Sequence, residues 1–159
     1  TFDQVVSVMF LDEDGEIRTR SRAEIEASYR NVPELHRNYA LQVVFRGTPT
    51  GAEEISRKMS ESRNHRRDTQ PVAASAGCIF RNPDRIGAGQ LIDELGLKGR
   101  RVGKAEVSAE HGNFIVNRGK AQAGDVLRLI DELQAEVKEK RGIDLETEVQ
   151  ILGEDQVSF

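Results

Sequence analysis

The sequence predicts an α+β fold, and three features indicate it. The chain opens on an apolar run followed by an acidic turn and a polar run, a pattern typical of a β-hairpin. Residues 39–45 alternate large apolar side chains with smaller or polar ones, which indicates a further strand. Apolar residues at helical spacing over 124–141, with Gly142 after them, indicate a long amphipathic helix.

The N-terminal elements follow from local patterns. The first strand covers residues 4–11, and the turn ends at Gly15 before a second, polar strand. Ser21 and Glu24 have capping-box spacing, which predicts a short helix over residues 22–28.

A second helix is predicted after the strand at residues 39–45. Thr50 and Glu53 repeat the capping spacing, and Ile55 and Met59 lie one turn apart on one face. The apolar stripe of this helix is narrow, and the helix ends in a basic patch.

Residues 70–90 differ from both flanks because they are rich in proline, alanine and glycine. We interpret them as a long ordered loop and as the junction between two domains, 1–70 and 71–159.

The C-terminal part contains three further predicted elements besides the long helix. A two-turn helix lies within residues 89–99, and a short strand covers residues 114–116. The last element is a strand with Val149 and Ile151 on one face. Glu148 therefore points to the opposite face.

Composition restricts the function classes. The chain has 159 residues and a net charge of -4, with 37% hydrophobic and 31% charged residues. Its charges are interspersed, which argues against a nucleic-acid partner. No apolar run reaches the length of a membrane span, so we expect no membrane partner and a cytoplasmic location. One cysteine, Cys78, and three scattered histidines give no metal-site motif, so no metal is expected.

The candidate residues remain ambiguous when each is considered alone. Cys78 is either a packed small residue or a reactive thiol beside a glycine that lets a substrate approach. Arg30 and Glu148 are either surface residues or site residues. The basic cluster of Arg63, His65, Arg66 and Arg67 is either a solvated helix end or a phosphate site, because arginine binds phosphate oxygens in a bidentate fork.

Several ordered motifs resemble those of the MurB family, the UDP-N-acetylenolpyruvoylglucosamine reductases. "YR" at residues 29–30 is similar to the family's YR, and "SAGCIFRNP" at 75–83 resembles its AGS-x-F-x-NP loop. The stretch "AGQLIDELGLKGRRVGKAEVSAEHGNFIVN" resembles AG-x-LI-x-x-x-GLKG followed by H-x-NF-x-VN, and "GIDLETEVQILG" resembles the closing L-x-x-EV-x-x-G. The motifs occur in the family's order over residues 25–153.

The resemblance implies a fold, an activity and cofactors. It implies a remnant of the second FAD-binding subdomain over residues 1–70 and the family's C-terminal substrate-binding domain over 71–159. It also implies a reductase that takes hydride from NADPH onto FAD and passes it to C3 of an enolpyruvyl group, with protonation at C2. The implied partner is a small-molecule UDP-sugar; the oligomeric state stays open.

The same resemblance assigns site residues. The implied catalytic residues are Arg30, Cys78 and Glu148; the implied substrate-binding residues are Tyr29, Asn82 and Arg66. Arg30 is expected to stabilise the charge that develops on the carboxylate. Cys78 stands where the family usually has a serine, and a neutral thiol is expected to protonate C2, because a thiol is a stronger acid than a hydroxyl.

The resemblance is also incomplete. The glycine-rich segments with which the family binds FAD have no counterpart in this sequence, so cofactor-binding residues stay unknown. We expect the chain to be a fragment that neither binds FAD tightly nor turns over alone. The link between Tyr29 and Tyr39 is too short for the long loop of some members, which predicts the loop-lacking type. Two alternatives remain: a non-catalytic module that binds a UDP-sugar or another anion, and an interaction domain that associates through an exposed sheet edge.

Overall fold

A computed structural model describes residues 2–153 of the chain. The chain divides into two compact units, Thr1–Ile55 and Ser56–Phe159, which we call unit 1 and unit 2. Each contains an antiparallel sheet, and α-helices occur beside the strands, so the predicted α+β class is confirmed. The domain boundary at residue 70 remains a prediction.

Unit 1 is built on a three-stranded antiparallel sheet. Its strands are β1 (Val5–Leu11), β2 (Ile17–Ser21) and β3 (Tyr39–Phe45), in the order β2-β1-β3. The predicted hairpin is confirmed, with Leu11 paired to Ile17. Asp12 closes its turn, because one carboxylate oxygen accepts the backbone N–H groups of residues 14 and 16.

The core of unit 1 lies on one face of β1. Val5, Val8 and Phe10 are buried there together with Ile25. Every residue of β3 is exposed.

The predicted helix over residues 22–28 is wrong. Its capping box does form, because the Glu24 carboxylate accepts the backbone N–H of Ser21 at 2.8 Å, but only one 3₁₀ turn, Arg22–Glu24, follows. Ile25 then takes an extended backbone and is buried against the sheet. Burial of this one apolar side chain takes precedence over a local helix signal that has no apolar stripe to support it.

Helix α1 (Ala52–Thr69) confirms the second predicted helix. None of its residues is buried, in agreement with its narrow apolar stripe.

Unit 2 contains a four-stranded antiparallel sheet and two further helices. The strands are β4 (Ser75–Cys78), β5 (Arg101–Val102), β6 (Ala105–Val107) and β7 (Phe114–Asn117), in the order β4-β7-β6-β5. The helices are α2 (Ala88–Glu94) and α3 (Ala123–Arg141), which confirm both predictions, and α3 ends at Gly142 as expected. The core between sheet and helices includes Leu91, Ile92, Val107, Leu129, Leu133 and Val137.

Two predictions in unit 2 need correction. The stretch from residue 70 to 90 is not a loop throughout, because it contains β4, and β5 and β6 were not predicted at all. The expected closing strand does not form: Thr147 makes one isolated bridge to Phe80, and Ile151 is 64% exposed. Small residues such as those of β4 carry no alternating apolar pattern, so only pairing with β7 makes them a strand.

Candidate active site

A β-bulge places Cys78 at the end of the edge strand β4. Ser75 pairs with Val116 and Cys78 pairs with Phe114, so β4 contains one more residue than β7 over this interval. Gly77 lies in the bulge with φ of 85°, a conformation that side chains other than glycine's rarely adopt. The extra residue changes the direction in which the strand presents Cys78, which is half-buried.

The segment that carries Glu148 lies beside the residues that follow Cys78. The Glu148 backbone N–H donates to the carbonyl of Ile79 at 2.7 Å, and Arg81 N–H donates to the Glu146 carbonyl at 2.8 Å. With the Phe80–Thr147 bridge between them, these bonds hold the two segments antiparallel. The structure therefore places the residues directly after Cys78 beside the segment that carries Glu148, although the two segments are far apart in sequence.

Asn82 follows four residues after Cys78 and is attached to helix α2. Its side-chain Oδ1 accepts the backbone N–H of Ala88 at 3.0 Å and so satisfies a donor of the first helical turn. This bond fixes the far end of the loop that begins at Cys78. The substrate contact expected of Asn82 stays a prediction.

Sequence reasoning missed one residue at this site, Asn113. Its side chain is 3% exposed and bonds to both backbone groups of Phe80: Phe80 N–H donates to Oδ1 at 2.9 Å, and Nδ2 donates to the Phe80 carbonyl at 2.8 Å. The signal was present in the sequence, because an asparagine directly before the apolar run at residues 114–116 has to find hydrogen-bond partners when it is buried.

His111 supports the turn that carries Asn113. Its Nδ1 accepts the Asn113 backbone N–H at 3.1 Å, and its ring packs edge-on against Phe114. Burial, with a smaller contribution from the positive charge of Lys98, lowers the pKa of His111, which favours the neutral ring that this hydrogen bond needs. A Cβ at Gly89 would lie 2.8 Å from the His111 ring, so glycine allows α2 to approach the turn closely.

Tyr29 and Arg30 belong to unit 1, where they form the tip of a tight turn. Ser28 and Asn31 exchange two backbone hydrogen bonds across it, at 2.9 and 3.2 Å. Arg30 has φ of 56°, which is uncommon for a residue with a side chain, and its guanidinium lies 5.6 Å from the centre of the Tyr29 ring. Tyr29 is 62% exposed.

Arg66, the remaining predicted substrate contact, lies in the last turn of α1 and is exposed. The constellation of Arg30 with Cys78 and Glu148 remains a prediction, as do the roles of Tyr29, Asn82 and Arg66.

Within residues 2–153, no group of three or more His, Cys, Asp or Glu side chains could hold a metal ion. No helix in that range is both long and apolar enough to cross a membrane.

The family model that matches the chain is the C-terminal domain of UDP-N-acetylenolpyruvoylglucosamine reductase, over residues 70–152. A relative of that name from Bacillus licheniformis is 44% identical over 153 residues, which cover 94% of this chain and 83% of the relative. Another, from Syntrophus aciditrophicus, is 43% identical over 154 residues, which cover 96% of this chain and 49% of the relative.

A solved structure is also similar. The UDP-N-acetylenolpyruvylglucosamine reductase (MurB) from Thermus caldophilus superposes with a TM-score of 0.80 at 40% sequence identity, over 94% of this chain and 53% of that protein. The chain thus spans about half the length of this structure and of most of the similar relatives.

Proposed function

Because the chain belongs to the family of UDP-N-acetylenolpyruvoylglucosamine reductases, we propose that it supplies the substrate-side groups of an enzyme that makes UDP-N-acetylmuramate for peptidoglycan synthesis. The substrate is UDP-N-acetylenolpyruvoylglucosamine, and the location is the cytoplasm. The cofactor that the family implies is FAD, reduced by NADPH; when bound, the flavin supplies the hydride that adds to C3 of the enolpyruvyl group.

The glycine-rich segments with which the family binds FAD have no counterpart in this sequence. A pyrophosphate can also bind the free N–H groups at a helix N-terminus, but at two helices of this chain one such group is already bonded. In α2 the Ala88 N–H is taken by Asn82, and at the start of α3 the Gln122 N–H donates to the Asp125 carboxylate. We therefore assign only the proton and charge steps to this chain. Weak FAD binding by the isolated chain remains a prediction, which a yellow purified protein would contradict.

Cys78 is the proposed proton donor. Hydride addition at C3 leaves a carbanion at C2, delocalised into the neighbouring carboxylate, and a neutral thiol can transfer its proton to C2. The thiolate formed recovers its proton from solvent in the next cycle. The observation that carries this proposal is the bulge at Gly77, which presents the half-buried Cys78 beside the segment of Glu148.

Arg30 and Glu148 are assigned to the charged intermediate. A guanidinium keeps its charge at any physiological pH and binds both oxygens of a carboxylate, so Arg30 suits the negative charge that accumulates there. Glu148 helps to stabilise or protonate the intermediate from the other segment of the site. Tyr29 and Asn82 contact the substrate, and Arg66 binds the diphosphate.

The test uses two substitutions of Cys78 in the full-length reductase. Cys78→Ala is expected to slow reoxidation of the reduced flavin by substrate about 100-fold or more, since general acid catalysis contributes on that order, while reduction by NADPH stays within about twofold. Cys78→Ser is the matched control, because it restores a proton donor of similar size, and it is expected to recover most of the rate. Both half-reactions are followed by stopped-flow absorbance of the flavin.

Equal losses in the two half-reactions of Cys78→Ala would rule out the proton-donor role. A calorimetric titration of the isolated chain with UDP-N-acetylglucosamine separates this proposal from a pure binding module. Tight binding without flavin, together with normal reoxidation in the Cys78→Ala enzyme, would favour the module.

A further inference from the structure

Asn113 is a buried polar residue that is bonded to two successive residues of the Cys78 loop. Its amide makes both bonds to Phe80, at 2.9 and 2.8 Å, and its own backbone carbonyl accepts the Ile79 N–H at 2.9 Å. The side chain is 3% exposed, so water does not readily replace these bonds. Asn113 is therefore a fixed attachment point for residues 79–80.

The same two residues are bonded on their other side to the segment of Glu148. The Ile79 carbonyl accepts the Glu148 N–H at 2.7 Å, and Phe80 forms a β-bridge to Thr147. Residues 79–80 thus lie between Asn113 and the Glu148 segment, directly after Cys78. A shift at Phe80 would change the distance between the two catalytic groups.

Asn113 is itself held in place. The His111 imidazole accepts its backbone N–H, and Phe114 N–H donates to the His111 carbonyl at 3.0 Å. Helix α2 packs closely against this turn at Gly89. The turn is therefore held against the core of unit 2, and through Asn113 it holds residues 79–80 in place.

We infer that Asn113 is a positioning residue that sets Cys78 relative to Glu148 through its bonds to Ile79 and Phe80. The inference rests on the proposed function, since it assigns the two positioned groups to one reaction. Asn113 touches no reacting atom. It acts by keeping the proton donor and the carboxylate at a fixed separation, and small displacements of reacting groups lower rates strongly.

Asn117, the last residue of β7, provides a control four positions after Asn113. Its Oδ1 also accepts two backbone N–H groups, those of Gly119 and Ala121, at 2.8 and 3.0 Å. These bonds close the turn before α3 and do not involve residues 78–82. Asn117→Ala therefore removes an asparagine that also accepts two backbone N–H groups but is exposed, and it breaks no side-chain bond to residues 78–82.

The first measurement is amide hydrogen exchange by NMR on the 159-residue chain. In Asn113→Ala, the Glu148 amide is expected to exchange about 30-fold faster, which equals about 2 kcal/mol for two lost bonds. Asn117→Ala is expected to change that rate less than about threefold. Glu148 reports on the positioning because its N–H is not bonded to Asn113 but to Ile79.

The unsubstituted chain supplies a test that does not depend on the variant folding. The Ile79, Phe80 and Glu148 amides are expected to open as one unit, with protection factors that agree within about threefold. A Glu148 amide that exchanges tenfold faster than that of Phe80 would overturn the inference, as would an unchanged Glu148 rate in Asn113→Ala.

The second measurement uses the half-reactions of the full-length reductase. Asn113→Ala is expected to slow flavin reoxidation by substrate at least about tenfold and to leave reduction by NADPH within about twofold. A purely structural role would lower both rates together, and that result contradicts positioning. Failure of the proposed function would appear differently, as a Cys78→Ala enzyme with normal reoxidation.

Discussion

The two units each contain an antiparallel sheet but bury very different numbers of apolar side chains. Among the described residues, the core of unit 1 contains four buried residues, whereas that of unit 2 contains fourteen. Strand β3 shows the difference most clearly, because Tyr39 is 73% and Phe45 56% exposed despite a regular alternation. An alternating pattern therefore predicts a strand, while burial requires an opposing layer.

The difference has a consequence for stability. Unit 2 packs α2 and α3 against its sheet, so each core side chain contacts neighbours on several sides. Unit 1 is a three-stranded sheet with a small core on one face of β1, and a small core contributes little free energy of folding. We expect unit 2 to account for most of the stability of the chain.

The largest expected effect compares one substitution in the two units. Leu133→Ala in α3, a fully buried position, should lower the free energy of unfolding by about 3 kcal/mol, because it removes contacts and leaves a cavity. Leu41→Ala in β3, which is 51% exposed, should cost less than about 1 kcal/mol. Urea unfolding followed by circular dichroism measures both. Equal losses would mean that β3 is covered in solution.

The second effect compares ion pairs. Glu106 is buried in the sheet of unit 2 and receives two hydrogen bonds from Arg118, at 3.1 and 2.9 Å, and an ion pair from Arg101. Arg118→Ala should lower the free energy of unfolding by more than the exposed control does, because the buried carboxylate loses its bidentate partner. Arg18→Ala, which breaks the more exposed pair with Asp12, should cost less than about 1 kcal/mol.

The Arg118 effect should depend on pH. The hydrogen bonds from Arg118, and then those from Arg101, lower the pKa of Glu106 below its ordinary value of 4.5. The unfolded state therefore binds the proton first as the pH falls, so this stabilisation is complete above pH 4.5 and is lost below it. Urea unfolding measures the free energy of unfolding of the unsubstituted chain and of Arg118→Ala. The difference between these two free energies should become smaller below pH 4.5. A difference that is constant with pH would contradict the role of the carboxylate.

The smallest effect on stability concerns Arg30, where stability and activity should separate. Its φ of 56° suits glycine, so Arg30→Gly should keep the stability of unit 1 or raise it by up to about 1 kcal/mol. The full-length reductase should nevertheless lose most of its substrate-driven flavin reoxidation, because the fixed cation is gone. Arg30→Lys keeps a positive charge but lacks the planar guanidinium. Its rate of flavin reoxidation should therefore lie between those of the unsubstituted enzyme and of Arg30→Gly. Full activity in Arg30→Gly would remove Arg30 from the site.

The sequence predictions were right where an element depends on residues close together in sequence and wrong where it depends on residues far apart. Helix α3 and the first hairpin were predicted, because the apolar stripe of Leu129 and Leu133 and the turn at Asp12 are local signals. The helix expected after Arg22 was wrong, because burial of Ile25 against the sheet is not visible in local spacing. Strand β4 was missed for a similar reason, since its small residues pair with a strand about forty positions later.

The sequence by itself determined the α+β class and the elements with strong local patterns, such as the first hairpin and α3. The ordered motifs that contain Cys78 and Glu148 also identified the family. Only the tertiary structure decided that the residues directly after Cys78 pair with the segment of Glu148 and that Asn113 is bonded to those residues. The physical reason is that helix periodicity and turn chemistry act between near neighbours in sequence. Backbone pairing and the satisfaction of a buried amide depend on residues that only folding brings together.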